Sequence, residues 1–217
     1  MHKTLDDQER RELDRRVAET ERKTGAQIVL AVAGRCDSYP ELPWKAFALG
    51  AAVTGLTACA RDMLRPSWDP DAAVLLAVAT TLAAGAACAL LCVLLPGFAR
   101  IFLDRHRAEA ETLQYAQSLF VSRDLASTKR RTGILLLVGL FERRVVVLPD
   151  AGIAARLDAG AIAGIAAVMT SAMRSSGVGG ALEAGLAQLG ELLSGTNPAS
   201  AAGIDELPNR LIEEDRP

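Results

Sequence analysis

Residues 72–99 read AAVLLAVATTLAAGAACALLCVLLPGFA, 28 positions without a charged side chain. A helix of about 20 apolar residues crosses the hydrocarbon core of a bilayer, so this stretch is long enough to span one. A second uncharged stretch, 46–60, precedes it, and Leu42, Pro43 and Trp44 lengthen it. The polar link 61–71 contains two prolines and is typical of a turn outside the lipid. The alternative, two buried helices of a soluble core, is disfavoured by the length of the second stretch. We predict a transmembrane hairpin over 42–99, with spans at about 43–61 and 72–95.

Tryptophans and basic residues flank these spans. Trp44 and Trp68 stand at the two ends of the first span, where interfacial tryptophans are expected. Basic residues near the spans are more frequent on the outer flanks than in the turn, which predicts cytoplasmic termini. The flanks hold Arg35, Lys45, Arg100, Arg105 and Arg107, and the turn holds Arg61 and Arg65. We expect a bacterial-type inner (plasma) membrane protein that crosses the bilayer twice, with both termini cytoplasmic.

Three short apolar runs outside the spans are typical of buried strands. QIVLAVA (27–33) precedes the hairpin, whereas GILLLV (133–138) and RVVVL (144–148) follow it. The short joint 139–143 favours an antiparallel pairing of the last two runs. A single strand is not stable alone, so the first run should pair with the segment 133–148. That pairing requires both polar parts of the chain to lie on one side of the membrane, as two crossings allow.

Helical patterns surround these strands. A charged helix precedes the first run, 104–120 is amphipathic, and helices at about 158–174 and 180–193 are separated by Ser175, Ser176 and Gly177. The predicted fold class is α/β, a small central sheet sandwiched by helices and interrupted by a two-helix transmembrane hairpin. Its first part is 1–41, its second part is 100–194, and 195–217 is expected to be a flexible acidic tail, although Leu207 and Leu211 could make a short contact.

Composition and motifs exclude several function classes. The chain has 24 basic and 26 acidic residues, so it lacks the basic excess of a general nucleic-acid binder. It has two histidines, neither of them at metal-ligand spacing from another ligand, and no phosphate-binding loop or CxxC motif. The stretches 46–60 and 72–99 hold no charged side chain, which argues against a transporter or pore.

Three aspartates follow strands or begin helices and are the candidate catalytic or metal-binding residues. Asp37 follows the first strand, Asp150 follows the third, and Asp158 begins a helix. Carboxylates in such places can bind a hard cation such as Ca²⁺ or Mg²⁺. The alternative is that they are turn residues and helix caps, which is the commoner role.

Several of these segments resemble the TPM domain, named for thylakoid acid phosphatase, photosystem II repair and acetylcholine-receptor modulator proteins. The resembling stretches are LDDQER (5–10), TGAQIVLAV (24–32), AQSLF (116–120), RTGILLLV (131–138) and RRVVV (143–147). The resemblance implies an α/β sandwich, a role in maintaining membrane complexes and, for some members, acid phosphatase activity. Gly152 and Asp158 match the family pattern, whereas Ala154 replaces a family glutamate.

The leading hypothesis is a non-enzymatic interaction and maintenance module for a membrane protein complex, with no nucleic-acid partner. It would contact the lipid bilayer and another membrane protein, or itself, through small-residue helix faces that include Gly50 and Gly55. The alternative is an acid phosphatase assisted by a divalent cation, with Asp37, Asp150 and Asp158 around the metal. Three carboxylates that converge near strand ends would favour the phosphatase.

Overall fold

The computed structural model describes residues 5–64, 70–128, 130–194 and 211–214. The chain forms two compact units, and the first is discontinuous in sequence. It combines the chain up to residue 37 with the chain from residue 108 onward, whereas residues 38–107 form the second unit.

The first unit is built on a four-stranded mixed sheet of order β3-β2-β1-β4. Its strands are β1 (Gln27–Ala33), β2 (Gly133–Gly139), β3 (Arg144–Pro149) and β4 (Ile212–Glu214). β1 pairs in parallel with β2 over seven residues, from Gln27 opposite Gly133 to Ala33 opposite Gly139. β2 pairs antiparallel with β3. The predicted pairing of the first apolar run with the later strands is therefore confirmed.

Helices cover both faces of this sheet, as the α/β prediction requires. They are α1 (Asp7–Thr24), α5 (Arg105–Ser122) and α7 (Ala159–Leu193), with a short α6 (Ala151–Ala154). Alternate residues of a strand face opposite sides. Ile28, Leu30 and Val32 accordingly join the core with α1 and α7, whereas Val29, Ala31 and Ala33 join the core with α5. Burial on both faces explains why β1 and β2 are continuous apolar runs.

The helix α7 is interrupted at Gly177, where the backbone has φ 74° and ψ −162°. In one straight helix Met169 and Gly185 would lie about 24 Å apart. Instead, a Cβ added at Gly185 would lie 2.6 Å from the Met169 sulfur. α7 is thus two helical segments folded against each other, and Gly177 is the break that the sequence predicts.

The second unit contains two long apolar helices, α2 (Glu41–Leu64) and α3 (Pro70–Leu94), followed by α4 (Pro96–Ala99). They pack closely at two glycines. A Cβ at Gly50 would lie 2.7 Å from the Cys88 sulfur, and one at Gly85 would lie 2.8 Å from the Phe47 ring. Gly50 therefore serves contact within the hairpin, whereas Gly55 has only Thr81 near it, at 3.9 Å. Residues 65–69 of the predicted turn, which include Trp68, lie outside the described residues.

Among the residues that the structure describes, three helices are long and apolar enough to span a membrane: α2, residues 71–94 of α3, and α7. The large apolar side chains of α2 and α3 are mostly exposed. They include Leu49, Val53 and Leu56 in α2, and Leu75, Val78 and Leu82 in α3.

One sequence interpretation needs correction at the C-terminus. The region 195–217 is predicted as a flexible tail, yet Ile212–Glu214 form β4, parallel to β1. The strand is held by side chains that lie far away in sequence. The adjoining Leu211 is buried in the core, in line with the expected short contact. Residues 195–210, including Leu207, lie outside the described part of the chain.

Candidate functional site

The sheet topology sets Asp37 and Asp150 at opposite ends of the strands. Asp37 follows the end of β1, where Ala33 lies level with Gly139, and Gly139 pairs with Arg144 at the start of β3. β3 runs antiparallel to β2, so its last residue, Pro149, returns to the other end, opposite Ile134. Six residues of strand correspond to about 20 Å. These two carboxylates are therefore not brought together.

Asp150 is buried and has two structural partners. Its carboxylate caps α6 by accepting a hydrogen bond from the Ala151 amide at 2.7 Å. Both carboxylate oxygens also accept from the Arg131 Nε, at 3.1 and 3.0 Å. The contacts of this side chain are those of a helix cap and an ion pair.

Gly152, which matches the family pattern, permits a close approach of two backbone segments. Its amide donates to the Arg131 carbonyl at 2.9 Å. A Cβ at Gly152 would lie 2.4 Å from the Arg130 carbonyl oxygen and 2.6 Å from that of Arg131. Only glycine fits without a backbone shift, so Gly152 fixes the loop that carries the partner of Asp150.

Asp158 is exposed and is the N-cap of α7, with its carboxylate accepting from the Ala161 amide at 2.6 Å. Within the residues that the structure describes, no group of three or more His, Cys, Asp or Glu side chains could hold a metal ion. Asp37, Asp150 and Asp158 are thus not brought together as one such group. The commoner reading of Asp150 and Asp158, as helix caps, describes their contacts.

A buried acidic residue that the sequence analysis missed lies at the other end of the sheet. The carboxylate of Glu142 accepts a hydrogen bond from the Cys36 amide at 2.9 Å. A Cβ at Gly139 would lie 3.0 Å from the Glu142 Oε2 and 3.2 Å from the Cys36 sulfur. Burial and the neighbouring Glu142 charge raise the pKa of the Cys36 thiol well above its usual range. Cys36 is therefore protonated at neutral pH and a poor nucleophile.

A second polar cluster surrounds β4 at the edge of the sheet. Arg10 of α1 forms an ion pair with Glu213. The Tyr115 hydroxyl of α5 donates to the Glu214 Oε2 at 2.5 Å, and Arg123, which directly follows α5, lies 3.1 Å from the Oε1. Burial and this hydrogen bond raise the pKa of Tyr115, which keeps the hydroxyl protonated as a donor.

An open groove of about 260 Å³ runs beside this cluster. It is lined by Tyr115, Ser118, Leu119, Ser122, Arg123 and Glu214. No sequence motif marks it, because its residues come from α5, from Arg123 just after it and from the C-terminal strand.

Comparison with known proteins agrees with this fold. Residues 100–192 match the family model of the TPM domain. The resemblance to the TPM domain is confirmed. The match covers α5, β2, β3, α6 and nearly all of α7, whereas β1 comes from the chain before the two long apolar helices.

A solved structure with the same TPM-like fold is the NMR structure of BA42 protein from the psychrophilic bacteria Bizionia argentinensis sp. nov.. It aligns with a TM-score of 0.59 over 98% of this chain and 97% of that chain, at 13% sequence identity. At this identity the likeness is one of fold. No curated protein matches this chain.

Proposed function

We propose that this chain is a two-span membrane protein with a cytoplasmic TPM-like unit. That unit is a non-catalytic interaction and maintenance module for a protein complex of a bacterial-type inner membrane. The observation that carries the proposal is the engagement of Asp150 and Asp158 in structural contacts. Asp150 is a buried cap paired with Arg131, and Asp37 lies about a strand length away.

The choice of two spans rests on the contrast between α7 and the hairpin helices. α7 is long enough to cross a bilayer, but its two segments fold back at Gly177 and bury Ile165 and Leu186 in the domain core. α2 and α3 instead leave large apolar side chains such as Leu49 and Leu75 exposed. Exposure of so much apolar surface to water is unfavourable and promotes aggregation, whereas contact of the same surface with lipid is stable.

Membrane topology is tested with thiol labelling of intact cells. In a Cys59→Ala background, Asp62→Cys reports on the turn and Ser175→Cys on the TPM-like unit; Asp62 and Ser175 are both exposed in the structure. A membrane-impermeant maleimide should label residue 62 in intact cells and residue 175 only after lysis. Labelling of residue 175 in intact cells would overturn the proposed orientation.

Catalysis is tested on the full chain in lipid nanodiscs. Hydrolysis of p-nitrophenyl phosphate is measured between pH 4 and 9 with Mg²⁺, Ca²⁺ or Mn²⁺. We expect no turnover above that of empty nanodiscs. Turnover that falls in Asp37→Asn or Asp158→Asn would refute the non-catalytic proposal and favour the phosphatase.

The interaction role is tested by affinity purification in mild detergent with quantitative mass spectrometry. We expect one membrane protein to be enriched reproducibly over a tag-only control. Gly55→Leu should reduce the enrichment if the partner approaches α2 closely, because a side chain at this position has only Thr81 near it within the hairpin. Ala52→Leu, also on α2, is the matched control. Recovery of no protein above background would count against the proposal.

A further inference from the structure

The strand β4 occupies the edge of β1 like a bound peptide. It pairs in parallel over three residues, with Ala31, Val32 and Ala33 opposite Ile212, Glu213 and Glu214. The Gly34 amide extends this ladder by donating to the Glu214 carbonyl at 2.7 Å. On its other side β1 pairs with β2 over seven residues, so the described pairing of β4 covers less than half of the strand.

Side chains from both helix layers hold β4, and they recognise consecutive carboxylates. Successive strand residues point to opposite faces of a sheet. Glu213 accordingly contacts Arg10 of α1 on one face. On the other face, Glu214 contacts Tyr115 of α5 and Arg123, which directly follows α5. Leu211 and Ile212 divide in the same way, since Leu211 joins the core with α1 and α7 and Ile212 packs against the core with α5.

Near the start of β1, before the residues that pair with β4, a backbone amide is satisfied by a side chain. The Ile28 amide donates to the buried carboxylate of Glu21 at 2.7 Å. The Glu21 carboxylate satisfies this backbone donor near the start of β1. The part of β1 that can pair with an added peptide strand therefore lies further along it, towards Gly34.

We propose that this edge is a docking seat for an extended acidic peptide of a partner protein, and that Leu211–Glu214 fills it within the chain. The recognised pattern is two apolar residues followed by two carboxylates, running parallel to β1. Backbone pairing supplies affinity, as in other strand-addition complexes. The ion pairs of Glu213 with Arg10 and of Glu214 with Arg123 supply specificity. The inference rests on the proposed interaction function and names the chemistry of its partner.

The chain's own segment competes with the partner through its tether. Eighteen residues, 194–211, separate the end of α7 from β4. A segment of the same chain competes intramolecularly for the site, so a partner peptide binds the intact chain more weakly than a chain without the segment. Removal of the segment should therefore raise the affinity of the seat at least tenfold.

The test measures fluorescence anisotropy of a labelled peptide with the sequence LPNRLIEEDRP, residues 207–217. The receptor is the full chain in nanodiscs or the same chain ending at residue 210. The peptide should bind the shortened chain saturably and at least tenfold more tightly than the full chain. A peptide with both glutamates replaced by glutamine should bind at least tenfold more weakly. Arg10→Ala or Arg123→Ala in the shortened chain should weaken binding similarly, whereas Arg11→Ala, an exposed neighbour on α1, should not.

If the shortened chain does not fold, as judged by circular dichroism, the full chain carrying Glu213→Gln and Glu214→Gln replaces it. This variant weakens the internal strand and should bind the labelled wild-type peptide more tightly than the wild-type chain does. Equal binding to the weakened or shortened chain and to wild type, or equal binding of the glutamine peptide, overturns the proposal. A concentration-dependent wild-type dimer that disappears on shortening would assign the seat to a second copy and also overturn it.

The two proposals fail separately. Peptide binding with no protein recovered by affinity purification would refute the interaction function and leave the seat in place. Recovery of a membrane protein together with no peptide binding would refute the seat alone.

Discussion

Replacement of Asp150 separates a structural role from a catalytic one. Asp150→Ala removes the cap of α6 and the ion pair with Arg131, whereas Asp150→Ser keeps a capping hydroxyl and removes only the ion pair. Loss of an N-cap costs about 1 kcal/mol. The Arg131 side chain is 58% exposed, so solvent screens the pair and its loss costs about 0.5–1 kcal/mol.

The expected cost is therefore about 1.5–2 kcal/mol for the alanine variant and about 0.5–1 kcal/mol for the serine variant. For a chain of this size, each kcal/mol lowers the midpoint of thermal unfolding by roughly 2–4 °C. Asp150→Ala should then lower the midpoint by about 3–8 °C, and Asp150→Ser by about half as much or less.

The assay is thermal unfolding of the full chain in detergent, followed by circular dichroism at fixed pH and protein concentration. Asp158→Ala, which removes an exposed cap alone, is the matched comparison and should cost about 1 kcal/mol. Equal midpoints for the alanine and serine variants of Asp150 would show that its cap contributes nothing. Unchanged midpoints for both would refute the structural role.

Three further predictions concern packing and reactivity. Gly152→Ala should destabilise by about 3 kcal/mol, because its Cβ meets two carbonyl oxygens, whereas Gly164→Ala has open space in a helix and should stabilise slightly; chemical denaturation measures both. The Cys36 thiol should resist iodoacetamide at pH 8, since its pKa is raised and the protonated form persists, and Glu142→Gln should speed its alkylation, measured by mass spectrometry. Gly50→Leu should separate the two apolar helices and lower the yield of folded protein in detergent, seen by size-exclusion chromatography.

The central part of the sheet follows from the sequence because burial on two faces leaves a clear signature. QIVLAVA and GILLLV are continuous apolar runs, and a lone strand must find a partner. The sequence also predicts the break of α7, because Ser175, Ser176 and Gly177 interrupt the helical pattern. In the structure Gly177 adopts a positive φ that other residues rarely accept. β4 carries no such signal. Its sequence, IEE, is stabilised as a strand by Arg10, which lies 203 residues away from Glu213.

Whether Asp37 and Asp150 lie close together depends on the directions of the strands that they follow. Asp37 and Asp150 each follow a strand, which suggests that they lie at the same end of the sheet. Because β3 runs antiparallel to β2, the last residue of β3 nevertheless lies at the opposite end of the sheet from the last residue of β1. The short joint 139–143 favours this antiparallel pairing, so the separation of the two carboxylates follows from the sequence. Burial of Glu142 could not, since a charged residue in a turn is ordinarily exposed.

The order of the chain has a consequence for how the TPM-like unit forms. β1 is synthesised before the apolar hairpin, yet its parallel partner follows it, with Gln27 opposite Gly133 across 106 positions. Pairing across such a separation is slow, because the loop must close before any contact stabilises it. If the hairpin enters the membrane as it is made, as the two-span proposal requires, both ends of that loop are held near one surface. Insertion would then shorten the search that precedes sheet formation, and β1 would remain without a parallel partner until β2 is complete.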